Sequence, residues 1–192
     1  MSVEVVEESA AELPELARIP ISFQVRSVLD VAGPDESGGF VLTERSLDVP
    51  YLKDYDAIRG EGPTRWAKRF DLTNWGFLAA RVKGRRVGAA TIAFDTPGVD
   101  MLEGRRELAV LWDLRVAPEA RGQGVGSALF RAAEAWARAR GCTELKIETQ
   151  NINVPACRFY AAQGCVLRAV DRDAYPGLPD EIQLLWYRSL NQ

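Results

Sequence analysis

Arg121-Gly122-Gln123-Gly124-Val125-Gly126-Ser127 is a stretch that can hold an anion with main chain alone. It follows a strand-like run, Leu108 to Val116, and the breaker Pro118, and it opens a helix-like run that ends near Arg140. The first N–H groups of a helix have no partner inside it, and the helix dipole adds partial positive charge there. Glycines let that main chain approach a phosphate without side chains in between. The stretch is therefore a candidate cradle for a phosphorylated cofactor; the alternative is a bare glycine-rich connection. Spacing excludes two common cradles. A nucleotide P-loop needs Lys directly after its last Gly, and Gly126 is followed by Ser127 and Ala128. The dinucleotide fingerprint needs two residues between its second and third glycines, and Val125 alone separates Gly124 from Gly126. What remains is Arg-x-x-Gly-x-Gly.

The chain contains no His. That removes Ser-His-Asp and Cys-His nucleophilic systems and His-ligated metal sites, and no metal is expected. A proton acceptor must be a carboxylate, Tyr, Lys, Cys or water. Cys142, Cys157 and Cys165 show no Cys-x-x-Cys spacing and read as free, buried thiols of a reducing cytoplasm. A length of 192 residues, 47% of them hydrophobic, suits one domain. The net charge of −3 offers no basic field for nucleic acid or an anionic membrane, and leans toward a cationic small molecule. No apolar run is long enough to span a membrane. The acidic start up to Leu16, without Lys or Arg, is not a signal or transit peptide. The expected location is cytoplasmic.

Around the cradle, composition and periodicity place the elements that must hold it. Residues 1–20 read as a flexible extension or a short helix, and residues 21–192 as a single domain. Ile21 to Val31 and Phe40 to Val49 read as strands on either side of a loop at 33–39. Pro50 to Gly62 and Thr64 to Phe70 read as short helical pieces. Gly76 to Val82 and Arg86 to Phe94 pair about a Lys83-Gly84-Arg85 turn. Glu107 to Val116 is the strand before the glycine-rich loop. Val125, Leu129, Ala132, Ala133 and Trp136 then recur at helical spacing, and Gly141 stops the helix. Thr143 to Thr149 is a strand, Val154 to Ala162 a helix ending at Gly164, and Val166 to Val170 and Ile182 to Ser189 are strands. An antiparallel meander leading into strand–helix–strand–helix–strand predicts an α/β (α+β) fold, with a mixed central sheet of about six to seven strands flanked by helices.

A second motif lies about thirty residues beyond the loop. Asn153, Ala156, Tyr160 and Gly164 follow an Asn-x-x-Ala-x-x-x-Tyr-x-x-x-Gly pattern. The two motifs together resemble the GNAT (Gcn5-related) N-acetyltransferases, over about Phe77 to Arg188. The finer likeness is to streptothricin acetyltransferases, carried by Glu148-Thr149-Gln150, Asn151, Asn153, Ala156 to Tyr160, Trp186-Tyr187 and Pro50 to Asp56. Cys165, the Arg-rich stretch Arg168 to Arg172, and Tyr175-Pro176-Gly177-Leu178-Pro179 depart from that pattern.

The resemblance implies a GNAT fold whose sheet is splayed in the middle, with acetyl-CoA (coenzyme A) as cofactor. The diphosphate would rest on Arg121 to Ser127. The pantetheine arm would pair with main chain at Leu114, Arg115 and Val116 and meet Asn153 and Ala156. Tyr160 would donate a proton to the departing thiolate; a phenol of pKa about 10 stays neutral and able to donate at pH 7. Asp113, which shares a strand face with Arg115, and Glu148 are the candidate proton acceptors, with an ordered water as the alternative. Either carboxylate could instead attract a cationic acceptor. Tyr51, Tyr55, Trp75, Trp112 and Glu148 are expected to line the acceptor pocket, with Trp66 as a further aromatic candidate. Arg121, Arg131 and Lys146 are candidate phosphate partners. The expected activity moves an acetyl group to a primary amine of a small cationic molecule such as a streptothricin-type antibiotic. A protein α-amine or lysine acetyltransferase and a non-catalytic CoA-binding module remain the alternatives. The expected partner is that small amine, with no nucleic acid and no membrane, and a homodimer is left open.

Overall fold

The computed structural model describes residues 2–34, 36, 38–58 and 60–191; in the expected 33–39 loop, positions 35 and 37 lie outside this set. In chain order the elements are β1 (Glu4–Glu8), α1 (Leu13–Leu16), β2 (Phe23–Ala32), β3 (Val41–Lys53), α2 (Pro63–Trp66), β4 (Gly76–Val82) and β5 (Arg85–Phe94). Then follow β6 (Leu108–Val116), α3 (Val125–Ala139), β7 (Glu144–Gln150), α4 (Val154–Ala162), β8 (Val166–Asp171) and β9 (Gln183–Ser189). They fall into two compact units. The first draws on the chain up to Ser22, on Asp54–Leu145 and on the chain from Leu190; the second on Phe23–Lys53 and Lys146–Ser189. In the first unit the strands pair in the order β1-β4-β5-β6, and in the second in the order β7-β9-β8. β2 and β3 form a sheet of their own. The class is the expected mixed α/β fold.

In the first unit, β4 and β5 pair antiparallel about Lys83 and Gly84, both at positive φ, the geometry a two-residue hairpin needs. Gly76 pairs with Ile92, Leu78 with Ala90, and Gly88 with Val116, so these residues share one face. That face receives α3, whose buried stripe includes Val125, Leu129, Ala133 and Trp136. Contact is close. A Cβ on Gly76 would lie 2.4 Å from the Trp136 ring, and one on Gly88 would lie 3.0 Å from Val125 and Leu129. The other face carries the row Phe77–Thr91–Asp113 and the row Ala79–Ala89–Arg115. Asp113 pairs with Thr91 and Leu111 with Ile92, which leaves Trp112 as an extra residue at a bulge.

The acidic lead-in differs from the flexible or helical reading. Glu4–Glu8 is an edge strand on β4, in register from Glu4 opposite Arg81 to Glu8 opposite Phe77. Its acids find partners there. Glu8 meets Arg81 at 2.9 Å and Arg86 at 2.7 Å, and Glu7 accepts from Trp136 Nε1 at 2.7 Å. Leu13, Leu16 and Ile19 behind it are buried.

In the second unit, β3 runs further than expected. Pro50, read as the start of a helical piece, lies within it, and Tyr51 pairs with Val25. The register slips between Val25 and Ser27, so that residues 47–50 face no regular partner. An irregularity of this kind is where a strand tolerates Pro. Asn151, buried at the end of β7, fastens two neighbours. Its N–H donates to Ile182 O and its Oδ1 accepts from Ile182 N, while its carbonyl accepts from Leu29 N. Trp186 on β9 donates to Thr149 Oγ1 at 2.9 Å. Among the described residues no helix is long and apolar enough to cross a membrane.

Candidate functional site

The glycine-rich loop has the geometry the sequence asks for. After a turn at Pro118–Ala120, Gly122 and Gly124 take φ of +72° and +84°, and Gly124 is the N-cap of α3. A Cβ at either would meet nothing within 4 Å, so the outer side of the loop is open. The first rung of α3 is Ala128 N to Gly124 O at 3.0 Å. The N–H groups of Gly122 to Gly126 precede that rung, where a helix supplies no acceptor of its own. Side chains brace the loop from within. Arg121 donates from Nε to Val116 O at 3.1 Å and from Nη2 to Ser22 O at 3.2 Å. Gln123 donates to Glu119 O at 2.7 Å, and Val125 is buried. A main-chain cradle with an open face at a helix N-terminus fits a diphosphate.

Of the other candidate phosphate partners, Arg131 is exposed on α3. Lys146 is a correction. It is 3% exposed in the second unit, with Nζ 5.6 Å from the centre of the Tyr187 ring, so packing has taken it away from a ligand in solvent.

Beneath the end of β6 lies a buried ion cluster. Arg115 donates from Nε to Asp113 Oδ1 at 2.8 Å and from Nη2 to Asp113 Oδ2 at 2.7 Å. It also donates from Nη1 to Asp56 Oδ2 at 2.8 Å, from Nη2 to Asp56 Oδ1 at 3.2 Å, and from Nη1 to Ile19 O at 2.9 Å. Burial works against the guanidinium charge, but the two carboxylates outweigh it and raise the Arg115 pKa above its ordinary value. Both oxygens of Asp113 are therefore engaged by a permanent cation, a poor arrangement for a proton acceptor. Asp56 was not among the predicted site residues. It ends the stretch Pro50 to Asp56, and nothing local in the sequence ties it to Arg115.

The predicted aromatic walls divide. Trp75 is 5% exposed and donates to Thr96 Oγ1 at 3.1 Å. Its ring centre lies 5.3 Å from Trp112, 5.6 Å from Phe70 and 6.3 Å from Trp66. Trp75 and Trp66 thus pack on one another in the core, which corrects their reading as pocket walls, while Trp112 is half-buried against Trp75. Tyr55 is half-buried beside Asp56.

In the second unit, Tyr160 sits on α4, 7% exposed, its ring 5.1 Å from Phe159 in an edge-on contact. Asn153 caps that helix, its Oδ1 accepting from Ala156 N at 3.2 Å. Glu148, half-buried on β7, accepts from the Tyr175 hydroxyl at 2.6 Å. Tyr51 stands 42% exposed on β3, its phenol pKa raised by burial first and by Glu181 and Asp180 second. Neither Tyr175 nor Asn151 was predicted as a site residue, and only the fold brings Tyr175 to Glu148.

Comparison with known proteins bears on these features together. The family model described as acetyltransferase (GNAT) family matches residues 45–165. A streptothricin acetyltransferase of Escherichia coli is 30% identical over 97% of this chain and 95% of its own length. Streptothricin acetyltransferase A of Bacillus subtilis (strain 168) is 31% identical over 79% of this chain and 81% of its own. A crystal structure from Bacillus anthracis, solved in complex with acetyl coenzyme A, shares the fold at a TM-score of 0.77, with 24% identity, 98% of this chain and 99% of that one covered.

Proposed function

We propose that this chain, which belongs to the GNAT acetyltransferase family, acetylates a primary amine of a small cationic molecule, with a streptothricin-type antibiotic as the leading acceptor. The observation that carries the reading is the loop itself. The N–H groups of Gly122 to Gly126 lie ahead of the first α3 rung, and Cβ positions built on Gly122 and Gly124 meet nothing within 4 Å. The family's cofactor is acetyl-CoA, which supplies the acetyl group as an activated thioester.

The residues of the chain then have these roles. The loop N–H groups hold the diphosphate. Main chain at Leu114, Arg115 and Val116 would hold the pantetheine arm, and the Val116 N–H would supply a donor for charge on the acyl oxygen. Asn153, beyond capping α4, would complete that binding together with Ala156. Tyr160 would donate its hydroxyl proton to the thiolate as the carbon–sulfur bond breaks, and would regain a proton from water. Asp113, held by Arg115, serves the structure. Glu148 draws in the cationic acceptor, and the proton of the attacking amine leaves to water. Tyr51 is the proposed aromatic contact for the acceptor. The relatives named streptothricin acetyltransferase support this choice of acceptor, and a cytoplasmic location agrees with free thiols.

The test is mass spectrometry of streptothricin, a set of small amines and a lysine-containing peptide after incubation with acetyl-CoA. The expected result is one added acetyl group on streptothricin. Acetylation of the peptide alone would replace the small-molecule reading, and cofactor binding without any product would replace it with a CoA-binding module.

A further inference from the structure

The connection between β8 and β9 departs from the sequence pattern that names the rest of the second unit, and it is tied down at several points. Arg172 donates to Val31 O at 2.7 Å near one end. At the other, Glu181 pairs with Lys53 at 2.5 Å, their side chains 9% and 13% exposed, and Ile182 N donates to Asn151 Oδ1 at 2.8 Å. Two turns shape the middle, from Leu178 N to Tyr175 O and from Glu181 N to Leu178 O, both at 3.0 Å. Pro176, Gly177, Leu178 and Pro179 are exposed, while Tyr175 is half-buried and turns its hydroxyl onto Glu148 Oε1 at 2.6 Å. An ionised carboxylate can only accept, so Tyr175 is the donor, and a bond this short is of the charge-assisted kind.

Glu148 has a further property. Among the described residues no Lys or Arg forms an ion pair with it, although most half-buried carboxylates of the chain have one, such as Glu8, Glu144 and Asp56. A partly buried carboxylate without a cation is costly unless one arrives. The amine that attacks a thioester must be neutral. A cation held at Glu148 through turnover is therefore a different group of the same acceptor.

We propose that Tyr175 is a positioning residue that fixes Glu148 through Oε1 and leaves Oε2 for a second, non-reacting ammonium, so that the enzyme prefers diamines to monoamines. This rests on the reading of the chain as an amine acetyltransferase with Glu148 on the acceptor side.

The experiment measures kcat and KM for α,ω-diamines and for monoalkylamines of the same length, with saturating acetyl-CoA. Wild type should favour the diamine by about tenfold or more in kcat/KM, the scale of one hydrogen bond to a charged group. Tyr175→Phe keeps the ring and removes the hydroxyl. It should raise the diamine KM about fivefold to tenfold, the same bond being loosened rather than lost, with kcat, the acetyl-CoA KM and the monoamine KM unchanged. Glu148→Gln should abolish the preference, and Tyr175→Phe should add nothing in that background. Equal effects of Tyr175→Phe on both amines, additivity with Glu148→Gln, or no effect at all would overturn the assignment while the acetyltransferase reading stands. A wild type that acetylates no amine defeats both.

Discussion

Arg115→Met puts the buried ion cluster to the test. Arg115 is 1% exposed at its side chain, Asp113 5% and Asp56 28%. Met conserves the aliphatic bulk and removes all five hydrogen bonds that the guanidinium makes. Solvent can reach Asp56 and compensate it in part. It cannot reach Asp113, which becomes a buried charge without a partner. Breaking a buried pair from one side costs about 3–5 kcal/mol. For a chain of this size each kcal/mol lowers the melting temperature by about 2–4 °C, so a drop of about 6–20 °C is expected by calorimetry. The guanidinium pKa is raised, so removing that charge takes a mutation rather than a change of pH. The double variant Arg115→Met/Asp113→Leu removes the orphaned charge together with its partner and should recover more than half of the loss, because apolar replacements of buried pairs are often nearly neutral. A single variant within about 1 kcal/mol of wild type would refute the reasoning, since that is the size of an exposed pair. So would a double variant as unstable as the sum of its parts.

Gly124→Ala places a side chain at φ +84° on the open side of the loop; it should cost about 1–2 kcal/mol of stability from the left-handed backbone and weaken acetyl-CoA binding, both measurable by calorimetry, and unchanged affinity would remove Gly124 from the cradle. Tyr160→Phe should lower kcat by about 10²-fold or more, the usual scale for a lost proton donor, with the dissociation constant of acetyl-CoA nearly unchanged by titration; unchanged turnover would end the role of Tyr160. Burial pushes the Cys157 thiol from 9.0 up to about 11. Its contribution to stability is then complete below pH 9, where folded and unfolded states both hold the proton, and declines as pH rises from 9 to 11 and the unfolded chain ionises first. Urea titrations across that window should show the decline in wild type and a weaker one in Cys157→Ala.

The sequence alone was sufficient for whatever depends on residues close together in the chain. Gly122 and Gly124 announced a turn that needs positive φ, and Val125, Leu129, Ala133 and Trp136 announced the buried stripe of the helix that follows. The Lys83-Gly84 turn and the two strands around it were legible for the same reason. Asp113 and Arg115, two apart on one strand, had to share a face, and they do. Tertiary structure decided what those side chains meet. Arg115 takes Asp56 from 59 positions away, and Glu148 takes Tyr175 from 27 positions away. Trp75 looked like a pocket wall because an aromatic residue is compatible with both a ligand and a core, and packing against Phe70 and Trp112 chose the core. The acidic lead-in read as flexible or as a short helix because Glu7 and Glu8 lack basic partners nearby in the chain; β4 and β5 bring Arg81 and Arg86 to Glu8, and α3 brings Arg140 to Glu7. Local backbone preference acts over a few residues and can be read one window at a time. Long-range ion pairs and aromatic packing depend on strand register and helix placement, which come from the burial of the whole chain at once.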